Sequence, residues 1–580
     1  MNILGITDSI TSGAAVVVDG VLVAAVSEER LNRKKMSIGF PVLSIPEVLR
    51  IAGLEPRQID AVVVATEHLF WRPHPLPFRD YFRAKRGGLR DLYLSTAASV
   101  ATIAGNSGLA RQTYYGLKSA VTRTRRQHIK TILKGRFAID APVSFLDHHL
   151  CHAASAYFTS GFEDAVVITQ DGSGDGKCSR VYEVSKGVFR HLHALDSYDS
   201  VGNYYAYVTH LCGFQAHKHE GKITGLAAYG QPTYIELLRR YVSYADGQIV
   251  NRGRCFDHSA VRKLKRDLGD TFSPEDLSAS VQLLLEEAVT GYCDYWVRKS
   301  GIRNLALAGG VFANVKLNQR VHELDAVDNT FVHPGMGDEG LAVGAALLEA
   351  SRREGYRRRP VIRDVYLGGD CADADCLRAI QANHLRILWE GEGIERQAAE
   401  LIADGKIVAR CAGRMEYGPR ALGNRSILYQ ATDRSVNKWL NERLKRTEFM
   451  PFAPVVLWEE RDCCFKHVDG AAETARFMTM TFDCRAELSA QCPAICHVDG
   501  TARPQLIRER DNPEYYRLLK EYQSLTGLPC IVNTSFNMHE EPIVNTPAEA
   551  VKSFLQSQLD AMILGKYLVA GPCPEKPHPR

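Results

Sequence analysis

The sequence predicts an α/β protein of at least two domains, the first of which contains two related lobes. The chain begins as a strand, an Asp19-Gly20 turn and a second strand, and a similar pattern returns near residue 165. Asp-Gly between two apolar runs is a strong hairpin signal. Glycine-rich strand ends follow in the same part of the chain. The repetition indicates an internal duplication with a ligand cleft between the lobes.

Length and composition are typical of a soluble globular protein. The chain has 580 residues, more than one compact core supports, with 45% hydrophobic and 24% charged residues. The net charge of +4 gives no general case for binding nucleic acid or membranes. No signal peptide is indicated, and no apolar run approaches the ~20 residues that span a bilayer. We therefore expect a cytoplasmic protein whose cysteines are reduced and mostly buried.

Two domains are predicted, over residues 1–365 and 385–580. The charged stretch 352–360 ends in a proline, which is typical of a helix end and a boundary. Residues 68–140 fit neither lobe and are interpreted as a helical insertion. Its lysines and arginines predict a solvent-exposed helical face. The alternatives are a lid over an acceptor pocket and a patch that binds nucleic acid. The proline-rich tail, 571–580, is expected to fray.

Two histidines mark a candidate metal site. His148 and His152 lie one turn apart on one face of a predicted helix, so both imidazoles can reach one cation. Asp338, in a glycine-rich turn, is the preferred third ligand, and Asp171 is the fourth. Two imidazoles with carboxylates suit iron, zinc or manganese. A pair of core histidines without a metal is the alternative interpretation.

Glycine-rich segments at three strand ends are candidate nucleotide-binding loops. The predicted turn 171–176 could present backbone amides to a phosphate, although an ordinary hairpin turn has the same composition. Segments 306–314 and 331–340 each link a strand to a helix, where glycine lets a ligand approach closely. Three such strand ends favour a nucleotide site. The candidate contacts are Asp171, Gly172, Ser173, Gly174, Gly309, Gly310 and Asn314.

The second domain concentrates arginines beside glycines. Arginine binds phosphate and carboxylate through two parallel hydrogen bonds. Together with short polar side chains after the strand 529–532, these residues predict a second anion site for a phosphorylated substrate and a nucleotide. Separate surface salt bridges are the alternative. The candidate contacts are Arg414, Arg420, Arg425, Ser426, Lys445, Arg446, Arg503, Asn533 and Ser535.

The ordered set of motifs resembles the ATP-dependent O-carbamoyltransferases of natural-product and nodulation-factor biosynthesis. The resemblance spans essentially the full length of the chain. It implies an α/β fold, with a duplicated actin/Hsp70/sugar-kinase-like (ribonuclease H-like) N-terminal domain and an α+β YrdC-like C-terminal domain. The matching segments are 3–30, 147–156, 221–230, 309–314, 418–426, 497–503 and 533–542.

The resemblance also implies a two-step reaction. Carbamoyl phosphate and ATP would form carbamoyl-adenylate in the C-terminal domain, where the arginine-rich motifs would hold both substrates. A hydroxyl of a natural product or glycosidic acceptor would then take the carbamoyl group in the N-terminal domain, as in antibiotic biosynthesis and other secondary metabolism. His148, His152 and Asp338 would ligate iron, or else zinc, manganese or magnesium, against the nucleotide phosphate. No nucleic-acid or membrane partner is implied, and a homodimer is one option for the oligomeric state.

One segment departs from the pattern of the family. Many relatives carry a His-Asp pair just after the first strand, but residues 8–13 contain no histidine. Asp8, His149 or Asp175 could supply the missing base or substrate contact. Two other functions are kept as hypotheses. One is a threonylcarbamoyl-type tRNA modification enzyme, which the low net charge disfavours; the other is a nucleotide-binding regulatory homologue without transfer activity.

Overall fold

The computed structural model describes residues 1–69, 71–78, 82, 124–357, 360–445 and 452–571. It divides into unit 1, Met1–Val23 with Met36–Val361, and unit 2, Ala24–Lys35 with Ile362–Arg580. The predicted N-terminal domain, 1–365, is therefore corrected at residues 24–35, because Arg33 of this segment donates hydrogen bonds to two backbone carbonyls of unit 2. Most of the predicted insertion, the tail 572–580 and Arg446 lie outside the described residues.

Unit 1 contains two mixed five-stranded sheets with the same strand order. The first sheet has the order β3-β2-β1-β4-β5, and the second has the order β8-β7-β6-β11-β12. Each central strand pairs antiparallel with the next strand of its hairpin and parallel with a later strand. The strands are β1 Asn2–Thr7, β2 Gly13–Val18, β3 Val21–Ser27, β4 Ala61–Ala65, β5 Val143–Leu146, β6 Asp164–Gly174, β7 Lys177–Ser185, β8 Val188–Asp196, the separate hairpin β9 Val242–Ala245 and β10 Gln248–Asn251, β11 Asn304–Ala308 and β12 Asn329–Val332.

Helices cover these sheets, and residues 124–137 are also helical. The helix that carries both candidate metal histidines, His148–Ser160, is called the histidine helix below. It packs against Leu341–Glu354 so closely that a Cβ atom on Gly344 would lie 1.8 Å from the carbonyl oxygen of Cys151. The helices of unit 1 with defined ends are Ser44–Ala52, His148–Ser160, Val201–Leu211, Glu220–Ala227, Ile235–Arg239, Asp257–Leu268, Pro274–Ser300, Val315–His322 and Leu341–Glu354.

The predicted turn at 171–176 is shorter in the structure. Strand β6 continues to Gly174, and the turn is the pair Asp175 and Gly176, which have φ angles of 47° and 86°. Asp-Gly with two positive φ angles matches the right-handed twist of a two-residue hairpin. Gly172 and Gly174 are therefore strand residues rather than parts of an amide-lined phosphate loop. A Cβ atom on Gly174 would lie 2.1 Å from the imidazole of His148, so this strand must lack a side chain there.

Unit 2 is built on one eight-stranded mixed sheet of order β13-β22-β21-β14-β15-β20-β16-β19. Its strands are β13 Ile387–Glu390, β14 Val408–Cys411, β15 Arg425–Gln430, β16 Ala453–Leu457, the separate pair β17 Phe482–Asp483 and β18 Thr501–Ala502, β19 Gln505–Ile507, β20 Cys530–Ser535, β21 Ala561–Leu564 and β22 Tyr567–Ala570. Its helices are Glu28–Asn32, Asp373–Ala382, Ile394–Ala403, Val436–Arg443, Arg461–Cys464, Ala472–Ala475, Ala486–Gln491, Pro513–Thr526 and Pro547–Ser557.

The core of unit 2 forms where the apolar faces of two helices pack against the large sheet. Helices Ile394–Ala403 and Pro513–Thr526 turn Ala398, Leu518 and Tyr522 onto Val408 and Ile531 of the sheet. The α/β fold class predicted from the sequence is confirmed. None of the helices in the described part of the chain is long and apolar enough to cross a bilayer.

We predict that Gly344→Ala destabilises unit 1 by about 3 kcal/mol, because the new Cβ meets backbone atoms that cannot move away. Gly135→Ala is the matched control. Gly135 is helical with nothing within 4 Å of its Cβ position, so alanine there should stabilise by up to about 1 kcal/mol. Urea unfolding followed by circular dichroism measures both. Equal stability of the Gly344→Ala variant and the wild type would contradict the close helix packing.

Candidate functional site

Four side chains of unit 1 converge on one point. The Nε2 atoms of His148 and His152 lie 3.1 Å apart. Oδ2 of Asp171 lies 3.4 Å from the first Nε2 and 3.3 Å from the second. Oδ1 of Asp338 lies 3.5 Å and 3.6 Å from the same two atoms. These four residues, called the His/Asp cluster below, are the four that the sequence predicted as metal ligands.

Local structure explains how each ligand reaches the cluster. The side chain of Asp147 accepts a hydrogen bond from the backbone of Leu150, so the histidine helix begins at His148 and places both imidazoles on one face. Asp171 lies near the end of β6, and Asp338 begins the turn that follows β12. Because β6 and β12 are both parallel to β11, their carboxyl ends lie at one edge of the sheet.

The donor set fits a divalent cation. Ligand atoms held about 2.1 Å from a metal lie about 3.4 Å apart in tetrahedral geometry and about 3.0 Å apart as octahedral neighbours. The distances between imidazole nitrogen and carboxylate oxygen, 3.3 to 3.6 Å, agree with such spacing. Two nitrogen and two oxygen donors suit zinc, iron or manganese.

Further contacts orient the ligands. The hydroxyl of Ser9 donates to Oδ2 of Asp338 at 2.6 Å, and the hydroxyl of Thr66 lies 3.1 Å from Nδ1 of His148. Hydrogen bonds to the second atom of each ligand fix its orientation and tune its basicity. Neither Ser9 nor Thr66 was predicted from the sequence to support a ligand. Ser9 does lie in the segment that departs from the family pattern.

The electrostatics of the cluster favour positive charge. Burial alone would lower the pKa of His148, but the carboxylates of Asp338 and Asp171 outweigh it and raise the pKa to about 9. Burial would raise the pKa of Asp171, but hydrogen bonds from His148 and His152 hold it well below its ordinary value. The two carboxylates therefore stabilise either imidazolium protons or a metal cation at the same point.

The prediction that His149 contacts the substrate is corrected. Its side chain is fully buried, Nε2 donates to the carbonyl of Lys177 at 3.0 Å, and Nδ1 lies 2.8 Å from the hydroxyl of Thr169. Burial and the neighbouring histidines lower its pKa to about 3, so the ring is neutral. His149 fixes the histidine helix to strands β6 and β7.

Asp8, a predicted catalytic residue, is part of a buried ion pair. Its carboxylate accepts hydrogen bonds from Nε and Nη2 of Arg125 at 2.8 and 2.5 Å, and Arg125 also donates to the carbonyl of Thr66. Both side chains are buried. The prediction of a solvated cationic face is therefore wrong at Arg125. Asp8 is not free to act as a base, since its carboxylate is held by the guanidinium.

Asp175, the third predicted catalytic residue, binds the backbone instead. Its carboxylate accepts hydrogen bonds from the amides of Glu67, His68 and His148 at 2.8 to 2.9 Å. Burial would raise its pKa, but His148 and these three amides lower it below the ordinary value. Asp175 thus joins the β6–β7 turn, the segment after β4 and the first residue of the histidine helix.

The glycine segments have separate roles. Gly309 has φ +106°, and a Cβ atom there would lie 2.2 Å from the carbonyl oxygen of Gln170. A Cβ atom on Gly310 would lie 3.2 Å from Oδ1 of Asp171, so this glycine leaves space beside the His/Asp cluster. Asn314 caps the helix Val315–His322, and the hydroxyl of Ser173 bonds that of Ser197. Of the predicted glycines, Gly174 lies against His148 and Gly310 lies against Asp171, so both border the cluster.

In unit 2, the structure brings several predicted contacts to the middle of the large sheet. Ser426 on β15 lies opposite Ser535 on β20, and Asn533 lies further along the same pair. Arg425 is fully buried, and its guanidinium donates to the carbonyls of Ala412, Gly413, Asn424 and Asn545. Most of its hydrogen-bonding capacity is therefore used by the backbone.

The other predicted contacts of unit 2 lie in loops around this sheet. Arg414 donates to the carbonyl of Gly368 and is bound through its own carbonyl by Asn424. Arg420 lies between Tyr417 and β15, and Arg503 lies between β18 and β19. Lys445 is exposed after the helix Val436–Arg443.

Glu416, for which the sequence predicted no role, orders the arginine-rich loop. Its Oε1 accepts hydrogen bonds from the amides of Leu422, Asn424 and Arg425 at 2.8 to 3.0 Å.

Glu220 supports the segment that lies against β6 beside Asp171. Its carboxylate accepts a hydrogen bond from the amide of His217, and a Cβ atom on Gly172 would lie 4.0 Å from the ring of His217. Burial raises the pKa of Glu220 to about 7, outweighing the amides that would lower it. The folded protein therefore binds this proton more tightly than the unfolded chain does.

We predict that His152→Ala lowers metal affinity at least about 100-fold, since it removes a ligand from a cluster of four. The half-exposed His68 is the control, because His68→Ala keeps the amide that binds Asp175. Metal content after dialysis against a weak chelator, measured by mass spectrometry, checks both variants. Full metal content in the His152→Ala variant would exclude the cluster as the binding site.

We predict that Glu220→Gln makes the protein more stable at pH 8 but changes little at pH 4.5. The raised pKa of Glu220 means that its contribution to stability is present at low pH and is lost as pH rises from about 4.5 to 7. Melting temperatures of variant and wild type at the two pH values measure this difference, with a gain of about 3 °C expected at pH 8. The same difference at both pH values would show that Glu220 has an ordinary pKa when folded.

Comparison with known proteins places the chain in a family. Residues 2–347 match the family model "Carbamoyltransferase N-terminus", and residues 399–570 match "Carbamoyltransferase C-terminus". Nodulation protein NolNO of Sinorhizobium fredii is 32% identical over 96% of this chain and 78% of its own length. Uncharacterized protein MJ1058 of Methanocaldococcus jannaschii is 36% identical, covering 76% of each chain.

A further relative and one solved structure complete the comparison. Nodulation protein NolO of Bradyrhizobium diazoefficiens is 34% identical over 73% of this chain and 78% of its own length. The crystal structure of HypF from T. kodakarensis is 14% identical with a TM-score of 0.36, covering 61% of this chain and 48% of that chain. This chain thus matches about half the length of that structure. With both family models matched in order over most of its residues, the chain belongs to the carbamoyltransferase family and is a transferase enzyme.

Proposed function

We propose that this chain is an ATP-dependent O-carbamoyltransferase. It uses carbamoyl phosphate and ATP to form carbamoyl-adenylate, and it transfers the carbamoyl group to a hydroxyl of a natural product or glycosidic acceptor. The observation that carries this proposal is the His/Asp cluster, with buried histidines and partly exposed aspartates, in a chain of the carbamoyltransferase family. A cation at that point would bind the phosphate of an adenylate. Direct transfer of the carbamoyl group from carbamoyl phosphate would not require a nucleotide-binding cation.

The architecture of unit 1 supports a nucleotide-binding role. Two sheets of the same order and strand sense are what a duplicated actin-like fold requires. The His/Asp cluster would hold a divalent cation, with iron as the first choice, and the cation would stabilise negative charge on the departing phosphate of AMP. The lack of a side chain at Gly310, whose Cβ position lies 3.2 Å from Oδ1 of Asp171, would let a phosphate oxygen approach there.

Unit 2, proposed to have the YrdC-like fold, suits the formation of the adenylate. Arg414, Arg420 and Arg503 lie in loops around a sheet whose central strands carry Ser426 and Ser535. Arginine side chains bind phosphoryl groups strongly in such partly enclosed sites. In the first step of this reaction, water converts carbamoyl phosphate into carbamate and phosphate. The carbamate oxygen then attacks the α-phosphorus of ATP, and pyrophosphate leaves.

The transfer step depends on activation of the leaving group. The acceptor hydroxyl attacks the carbamoyl carbon, the bond to the AMP oxygen breaks, and the hydroxyl proton passes to the departing phosphate or to water. Asp8, His149 and Asp175 are all engaged by buried partners, so none is free to remove this proton. An adenylate makes the weakly electrophilic carbamoyl group reactive without a dedicated base, since AMP is a stabilised leaving group.

We predict that the metal-loaded protein releases pyrophosphate only when ATP and carbamoyl phosphate are both present, and that mass spectrometry detects carbamoyl-adenylate. His152→Ala should keep at least half of the pyrophosphate release, because its side chain lies in unit 1, but should lose transfer to any acceptor in a panel of hydroxyl compounds. His68→Ala should keep both activities. ATP binding without pyrophosphate release would refute the proposal and favour a regulatory binding protein.

A further inference from the structure

Unit 2 contains a pair of neighbouring thiols that the proposed function does not use. The sulfur atoms of Cys484 and Cys496 lie 3.5 Å apart, and the sulfur of Cys496 also lies 3.5 Å from the hydroxyl of Ser489. Cys484 is 8% exposed, whereas Cys496 is partly exposed. The two thiols therefore contact each other, and a small molecule in solution can reach the second of them.

The backbone on both sides of this pair is held by the small sheet of β17 and β18. The amide of Cys484, directly after β17, donates to the carbonyl of Gly500 at 3.0 Å. The amide of His497, directly after Cys496, donates to the carbonyl of Thr501 at 2.8 Å. The sulfur atoms of a disulfide bond lie about 2.05 Å apart, so these two side chains need to approach each other by about 1.5 Å.

The two thiols differ in acidity. Hydrogen bonding to Cys484 lowers the pKa of Cys496 to about 7, and Ser489 and the positive charge of Arg434 act in the same direction against the effect of burial. Hydrogen bonding to Cys496 and burial raise the pKa of Cys484 above its ordinary value. The thiolate is the reactive form of cysteine. At neutral pH, Cys496 is therefore a nucleophile and Cys484 keeps its proton.

A second thiol pair of unit 2 has the same spacing in different surroundings. The sulfur atoms of Cys371 and Cys411 also lie 3.5 Å apart, but these residues are 6% and 0% exposed. Hydrogen bonding to Cys376 and burial raise the pKa of Cys371 to about 12, and hydrogen bonding to Cys371 and burial raise the pKa of Cys411. Buried thiols of this kind are inert. Exposure and acidity thus distinguish Cys484 and Cys496 from an ordinary buried pair.

Metal binding does not account for Cys484 and Cys496. A structural zinc site uses four cysteine or histidine ligands. Across the residues that the structure describes, the His/Asp cluster is the only group of three or more histidine, cysteine or acidic ligands within 4.8 Å of one another. The chemistry of the pair is therefore that of a dithiol, and disulfides of cytosolic proteins are usually transient and serve catalysis or redox sensing.

We propose that Cys496 and Cys484 form a reversible disulfide bond when the protein meets hydrogen peroxide or an organic hydroperoxide. The thiolate of Cys496 attacks one peroxide oxygen and becomes a sulfenic acid. The O–O bond breaks, and the leaving oxygen takes a proton from solvent and departs as water or an alcohol.

The sulfur of Cys484 completes the reaction. It attacks the sulfur of Cys496, the S–O bond breaks, and the hydroxide departs as water with the thiol proton of Cys484. The two thiols supply the two electrons that reduce the peroxide. A dithiol reductant restores both thiols by exchange. This modification is independent of the proposed carbamoyl transfer.

Peptide mapping of the full-length protein after brief treatment with hydrogen peroxide tests the assignment. Trypsin places Cys484 in peptide 477–485 and Cys496 in peptide 486–508, so the disulfide joins two peptides that mass spectrometry identifies. The pair Cys371 and Cys411 is the matched control, because its disulfide would join peptides 364–378 and 411–414. We expect the first link to form at least about 10-fold faster than the second and to disappear after dithiothreitol treatment.

Three variants test the order of the two steps. Cys484→Ser keeps a hydrogen-bond donor beside Cys496 but removes the second thiol, so Cys496 should stop at the sulfenic acid, which dimedone traps. Cys496→Ser should leave Cys484 unreacted, because burial keeps its thiol protonated. Cys411→Ser should change neither the rate nor the product. Melting temperatures verify that the variants fold, and the mapping of the wild type requires no variant.

A fast link between Cys484 and Cys496 in the wild type, together with trapped sulfenic acid in the Cys484→Ser variant, supports the proposal. Cross-linking of Cys371 to Cys411 at the same rate would overturn it, because exposure and acidity would then have no influence. A link from Cys496 to Cys492 would also overturn it. Oxidation of Cys496 to sulfinic acid while Cys484 stays reduced would show that the second thiol does not react, and would refute the pair.

Discussion

The carboxylate of Asp175 is the contact on which the candidate site of unit 1 depends. It binds the amides of Glu67, His68 and His148, and so joins the end of one sheet, the hairpin turn of the other and the start of the histidine helix. This anchor fixes the backbone of His148, while the hydroxyl of Thr66 lies 3.1 Å from Nδ1 of its ring. A residue that the sequence predicted to be catalytic thus supports the side chains of the His/Asp cluster, and a metal site would require such a rigid surrounding.

Short-range patterns explain which parts of the site could be predicted from the sequence. Asp147 as a helix cap and the four-residue spacing of His148 and His152 are local features, and they determine which way both rings face. Glycine before Asp338 indicated the turn after β12, whereas the glycine after Asp171 lies within strand β6 and not in a turn. The Asp8–Arg125 pair could not be predicted, because 117 residues separate its members. The neutral state of His149 could not be predicted either, because it follows from burial of the ring in the folded protein and from the two neighbouring histidines.

Unit 2 also contains contacts that could not be predicted from the sequence, because they join residues even further apart in the chain. Segment 24–35 begins within the second strand of a predicted hairpin, and nothing in its composition indicates that it packs with residues beyond 361. The hydrogen bond from Arg30 to Gly418 spans 388 residues. Arg425 illustrates the converse case, in which an arginine in a convincing anion-binding motif is largely engaged by backbone carbonyls. An arginine motif predicts where positive charge lies, but only the fold determines which N–H groups remain for a ligand.

The proposed function depends most on our proposal that the His/Asp cluster holds a cation that contacts the nucleotide. X-ray absorption spectroscopy at the metal edge of the purified full-length protein tests it most directly. Two imidazole nitrogens and two carboxylate oxygens at about 2.0–2.2 Å are expected, and a phosphorus neighbour should appear when AMP is added. Sulfur neighbours from cysteine, or a spectrum without imidazole scattering, would contradict the account.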